Sequence, residues 1–205
     1  MRAVVETAAG ESENQDRGAI IEAVAGLVLV VADGAGGLSG GKQAATMAID
    51  LVRNQANALR DSTSCVMLLQ QMDQAIEQDK IAGETTCGLA IVTESEVYGA
   101  SVGDSGVWVI NETGFANLTA RQSRKPFIGS GVASPIPFDH MRTGREFVLL
   151  ATDGLLKYTS AERIITICRE GAPPDEIARR LIELVRYQSG ALPDDVTVIF
   201  ANPES

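Results

Sequence analysis

Two textures of hydrophobic and polar positions alternate along this chain. One is the short, dense apolar run. Residues 18–33 read as two strands, and the second, Gly26 to Ala32, is apolar throughout, as a strand buried on both faces would be. Further runs are Thr86 to Thr93, Glu96 to Val102, Val107 to Asn111 and Phe115 to Leu118, with Gly99, Gly103, Gly106 and Gly114 marking turns or bulges. Phe147 to Thr152 and Val196 to Phe200 complete the set. The other texture has helical period. Over residues 39–59, Ala45, Ala48, Val52, Ala56 and Leu59 share one face, and over 63–80 Val66, Leu69, Met72 and Ile76 do so. Thr159 and Glu162 have capping-box spacing for a short helix through Arg169. Pro173-Pro174 opens a last helix with Ile177, Leu181, Leu184 and Val185 inward.

The order is strands, two helices, several strands, two helices, strand. Strands clustered in this way predict an α+β fold, an antiparallel sandwich with helices outside, rather than an alternating parallel sheet. Residues 1–205 suit one domain with a substantial core. The stretch 119–145 is polar and rich in Gly and Pro, and it is the best candidate for a mobile flap.

Composition narrows the partners. A net charge of −10 argues against a nucleic-acid backbone or an anionic membrane surface. No apolar run approaches the roughly 20 residues of a bilayer span, and Met1-Arg2 leads into no secretory signal. Cys65, Cys87 and Cys168 form no Cys-x-x-Cys pair, lie among apolar neighbours, and read as small buried thiols in a reducing cytoplasm.

The acids carry the chemistry. Two apolar strands finish alike, Leu27 to Ala32 in Asp33-Gly34 and Val148 to Thr152 in Asp153-Gly154. Asp194-Asp195 precedes the strand at Val196, Asp104 follows the one ending at Val102, and Asp16 lies just before Ala19. One Asp-Gly at a strand end is ordinary turn chemistry. Repeated at several strand ends, such carboxylates would converge on one edge of a sandwich and repel one another unless hard cations sat between them. Mg²⁺ and Mn²⁺ prefer such oxygen ligands. His140 is the only histidine, which rules out a His-rich site, and it reads as a surface or packing residue. The glycines after Asp33 let the backbone pass close to a ligand, but the chain lacks the Gly-Lys-Ser/Thr ending of a P-loop, since Gln43 follows Lys42.

At these residues the chain resembles the metal-dependent protein phosphatases (PPM, or type 2C) of bacterial type. Asn14-Gln15-Asp16, Val31-Ala32-Asp33-Gly34-Ala35-Gly36-Gly37, Gly83-Glu84-Thr85-Thr86, Ser101-Val102-Gly103-Asp104-Ser105, Leu150-Ala151-Thr152-Asp153-Gly154-Leu155 and Asp194-Asp195-Val196-Thr197-Val198 match that family's motifs in order. The resemblance implies a four-layer α/β/β/α sandwich of two antiparallel sheets flanked by helix pairs. It implies two or three Mg²⁺ or Mn²⁺ ions. Asp33 would bridge two of them and Gly34 would offer its carbonyl. Asp153 and Asp194 would ligate one ion, Asp16 would help through water, and Asp104 would join Asp153 around a third. Water activated between two ions would attack the phosphorus of a phosphomonoester directly, so neither Ser105 nor a cysteine would serve as nucleophile.

The chain also departs from that pattern. Glu11 stands where the family has a phosphate-gripping Arg; Arg17 is the nearby candidate for that role. Gln15 replaces a Glu, Ala35 a histidine of many eukaryotic members, and Gly106 an Arg. Arg121, Arg124 and Lys125 form a basic cluster that reads as a solvated loop or, more sharply, as a dock for phosphorylated substrate. The expected function is dephosphorylation of phosphoserine and phosphothreonine in proteins, opposite a cognate Ser/Thr kinase. A non-catalytic phosphoprotein-binding module and a small-phosphoester phosphatase are the competing readings.

Overall fold

The structure, a computed structural model, describes residues 1–10, 13–35 and 40–203. In chain order the elements are β1 (Arg2–Ala8), β2 (Arg17–Ala23), β3 (Gly26–Ala32), β4 (Gly34–Ala35), α1 (Gly40–Gln55) and α2 (Ser62–Glu77). Then come β5 (Glu84–Thr85), β6 (Cys87–Val92), β7 (Glu96–Val102), β8 (Gly106–Ile110), β9 (Phe115–Asn117), β10 (Ile136–Met141) and β11 (Phe147–Ala151). The chain closes with α3 (Asp153–Leu156), α4 (Ala161–Cys168), α5 (Pro174–Glu183) and β12 (Val196–Asn202).

One five-stranded sheet runs β1-β12-β11-β8-β9 and the other β10-β7-β6-β3-β2, all neighbours antiparallel. The period of two along each strand builds three cores at once. Val28, Val30 and Ala32 of β3 pack with α1 and α2, while Leu29 and Val31 face the other sheet. Trp108 and Ile110 of β8 and Val198 and Phe200 of β12 pack with α4 and α5, while Val107, Val109 and Ile199 meet β3 across the sandwich. This is the four-layer α/β/β/α arrangement, and it explains why the strands read as continuous apolar runs: both faces of each sheet are covered.

Several elements depart from the sequence prediction: β4, β5 and α3 were not expected, and α1 ends at Gln55 rather than continuing to 59. β1 was not expected; it is an edge strand with Val5 and Thr7 exposed, and its apolar signal is correspondingly weak. The stretch 119–145, expected as a flap, contains β10, paired with β7 in the register Ile136↔Ser101 to Met141↔Glu96. Pro137 and Asp139 disguise it, and both are tolerated because β10 is an edge strand. α4 starts at Ala161 with Ser160 at the N-cap and no side-chain cap bond, so the Thr159/Glu162 box does not form. A capping box does stand at α2, where Asp61 Oδ1 accepts from the Ser64 amide at 2.7 Å and Ser64 Oγ accepts from the Asp61 amide at 3.1 Å.

Candidate active site

The register brings the acidic strand ends together. Arg17 pairs with Ala32, so Asp16 and Asp33 leave neighbouring strands at one end. Cys87 pairs with Val102, which places Asp104 at that end too. In the other sheet Ala151 pairs with Val198, which puts Asp153 beside the entry to β12 and hence beside Asp194. The two sheets are joined here by Thr152 Oγ1, which donates to Asp16 Oδ2 at 2.7 Å while accepting from the Thr197 amide of its own sheet at 2.9 Å.

Backbone clamps fix the central acid. The Asp33 amide donates to Thr86 Oγ1 at 3.0 Å, and the Asp33 carbonyl accepts from the Thr86 amide and Thr85 Oγ1, each at 2.9 Å. Thr86 Oγ1 in turn meets Ser105 Oγ at 2.7 Å, so Ser105 is a buried brace. β4 pairs with β5, Gly34 opposite Thr85, and a Cβ on Gly34 would overlap the backbone of Gly41 at the start of α1. The Asp153-Gly154 pair has the same origin: a Cβ on Gly154 would collide with the Asp195 carbonyl. Asp195 serves the loop before β2, accepting from the Gly10 amide at 2.8 Å and the Gln15 amide at 2.7 Å.

The electrostatics are those of crowded like charges. Burial, then the charges of Asp16, Asp153, Asp194 and Asp104, push the Asp33 carboxyl up to about 9. Asp33 thus senses four of the other acids. Burial chiefly, with Asp195 and Asp153 adding to it against the Thr152 hydrogen bond, raises Asp16 to about 7. Burial followed by Asp104 and Asp194 raises Asp153.

Divalent ions fit this donor set. Asp16 Oδ1 and Gln15 Oε1 are buried with no hydrogen-bond partner, and the side chains gathered are hard oxygen donors. Among the described residues no three Asp, Glu, His or Cys side chains form a complete one-ion cage.

The remaining candidates spread out. Arg17 Nη1 donates to the carbonyls of Asn14 (3.0 Å) and Asp16 (2.6 Å). His140 pairs with Val97, at the opposite end of β7 from Asp104. Glu11 lies outside the described residues. Arg124 Nε lies 2.7 Å from Asp104 Oδ2 as an ion pair, and an open cavity of about 320 Å³ is lined by Asp104, Arg124, Asp153, Leu156 and Lys157. Sequence reasoning found the acids but gave no role to Thr85, Thr86, Thr152, Thr197 or Asp195. Their one signal was position, each lying within a few residues of a site acid.

Residues 6–173 match the family model described as Protein phosphatase 2C. The chain belongs to the protein phosphatase 2C family. Solved structures of similar shape include a variant of a bacterial serine phosphatase (TM-score 0.89, 24% identity, 100% of this chain and 99% of that one). The Mycobacterium tuberculosis serine/threonine phosphatase PstP/Ppp is also similar (TM-score 0.85, 20% identity, 100% and 99%). So is the catalytic domain of PstP in complex with two manganese ions (TM-score 0.83, 21% identity, 100% and 98%). No curated protein sequence matches the chain. What these structures share with the chain is its fold. Among the described residues no helix is long and apolar enough to cross a membrane.

Proposed function

We propose that this chain is a metal-dependent phosphatase that hydrolyses phosphoserine and phosphothreonine in proteins. The observation that carries the reading is the convergence of Asp16, Asp104, Asp153 and Asp194 on Asp33, with a buried carboxylate oxygen left unpartnered. Membership of the protein phosphatase 2C family supports it. Asp33, the Gly34 carbonyl, Asp153 and Asp194 would hold two Mg²⁺ or Mn²⁺ ions, Asp16 would act through water, and Asp104 would serve a third ion. Bound there, such ions supply Lewis acidity and a water acidified enough to attack phosphorus at neutral pH.

The chain's own residues do the positioning. Thr85 and Thr86 fix the backbone of Asp33, Thr152 fixes Asp16, and the Asp195 carboxylate ties down the loop that carries Gln15 and Asp16. The acids alone would repel a phosphoryl group, so productive binding requires the cations. The partners would be a phosphoprotein and the Ser/Thr kinase that modifies it. The three buried free thiols fit a cytoplasmic setting.

The test is hydrolysis of a phosphothreonine peptide with Mn²⁺, beside EDTA and Asp153→Ala. Turnover abolished by both controls is the expected result. A folded, Mn²⁺-loaded protein that binds the peptide without cleaving it would instead mark a phosphoprotein-binding module. Cleavage of small phosphoesters but not of the peptide would mark a small-molecule phosphatase.

A further inference from the structure

Two cations share the site cavity with the acids, and no step above uses them. Arg124 lies in the irregular stretch between β9 and β10, and Lys157 follows α3. Both line the cavity that Asp104, Asp153 and Leu156 also line. The basic cluster seen in the sequence therefore splits. Arg121 faces a separate depression with Asn117, Ile136 and Pro137. Lys125 Nζ sits 5.2 Å from the centroid of the Phe127 ring. Of the three, Arg124 is the one at the site.

The Arg124–Asp104 pair is not explained by stability. Its side chains are 65% and 27% exposed, and ion pairs in such settings contribute about 0–1 kcal/mol. The pair does orient a guanidinium. Nε is ion-paired with Asp104, 2.7 Å from its Oδ2, and among the described residues Nη1 and Nη2 have no hydrogen-bond partner. A planar fork with its outer nitrogens unspent matches two oxygens of a phosphoryl group. Lys157, drawn toward Tyr158 and close enough to Asp153 to feel its charge, adds a second positive group on the same wall. The alternative grip, Arg17, is tied through Nη1 to the carbonyls of Asn14 and Asp16 in its own segment.

We propose that Arg124, assisted by Lys157, grips the phosphoryl oxygens of the substrate through its Nη groups while Asp104 holds its Nε; the proposal rests on the phosphatase reading. Asp104, proposed above as a ligand of a third ion, then also positions the fork through Oδ2. The grip supplies from the 119–135 stretch what Glu11, standing where the family has its Arg, has no positive charge to supply.

The experiment compares the full chain with Arg124→Gln, Arg124→Lys and Arg121→Gln in saturating Mn²⁺. It reads KM and kcat for a phosphothreonine peptide, the inhibition constant of inorganic phosphate, and the half-saturating Mn²⁺ concentration. Arg124→Gln should raise KM and the phosphate inhibition constant together by about tenfold or more, the loss of a charge-assisted hydrogen bond. Half-saturation by Mn²⁺ should not move, Arg124→Lys should recover part of the loss, and Arg121→Gln should behave as the unchanged protein. Unaltered KM and phosphate inhibition would overturn the proposal. So would a shift confined to the Mn²⁺ requirement, because Arg124 would then serve Asp104 alone. If the unchanged protein shows no turnover, the phosphatase reading falls, and fluorescence anisotropy of a labelled phosphothreonine peptide decides the grip separately. A tenfold weaker complex with Arg124→Gln sustains it; equal binding by both proteins, or none by either, overturns it.

Discussion

Thr152 carries more of the site than any acid's own position would suggest. Its hydroxyl donates to Asp16 and accepts from the Thr197 amide, and all three residues are buried. Thr152→Val keeps the volume and deletes the hydroxyl, so a buried amide and a buried carboxylate each lose a partner. The expected cost is about 1–3 kcal/mol in urea unfolding, accompanied by weaker Mn²⁺ retention. Unchanged stability would show that Asp16 finds another donor. Residues such as Thr152 and Asp195 were not legible in the sequence. The acids stood out because an Asp after an apolar run is conspicuous. A threonine one residue earlier is also an ordinary strand residue, and its hydrogen bond is made to Asp16 across the sandwich. Asp195 looked like a twin of Asp194, and only the fold shows that its oxygens face the Gly10 and Gln15 amides.

Among elements, the connection from β9 to β10 is shaped by a distant helix. Asp73, on α2 and buried, accepts from the amides of Gly129 (2.7 Å), Gly131 (3.1 Å) and Ala133 (3.0 Å). The same stretch is laddered to β5 by Thr85 and Ile128, each amide donating to the other's carbonyl at 2.9 Å. Asp73→Ala should therefore release these amides to hydrogen exchange and cost about 1–3 kcal/mol for donors left without partners. Exchange rates at Gly129, Gly131 and Ala133 equal to those of the unchanged protein would refute this tether. Two-sided burial made β3, β6, β7, β8, β11 and β12 legible, because each is apolar at consecutive positions. The edges β1 and β10 were not, since an edge strand exposes part of its surface and can hold Pro, Asp or Glu. Asp73 read as one more polar residue on a helix, although three backbone amides converge on it.

At the scale of the molecule, the acids set a dependence on pH and on metal. Asp33 and Asp16 hold their protons to about 9 and about 7, against an ordinary value of 3.8. Between the ordinary and the raised values the folded form binds more protons than the unfolded chain, so stability falls as pH rises across that window. The protein in EDTA should melt at lower temperature near about pH 9 than near about pH 5. Added Mn²⁺ should recover most of the loss at the alkaline end, by binding the folded form. Melting temperatures in EDTA that stay level across the window would mean that the carboxylates do not crowd one another as the structure has them.

The position of β12 between β1 and β11 has a temporal consequence. Residues 2–8 pair with residues 196–202, from Arg2↔Asn202 to Ala8↔Val196, whereas the sheet holding β2, β3, β6, β7 and β10 draws only on residues 17–141. During vectorial synthesis that second sheet can close while β1 still waits for a partner that the ribosome has not released. Contacts so distant in sequence slow closure. Asp194, at the entry to β12, is therefore the last of the site acids to be made, after the whole of the second sheet. Until then β1 is a strand on hold.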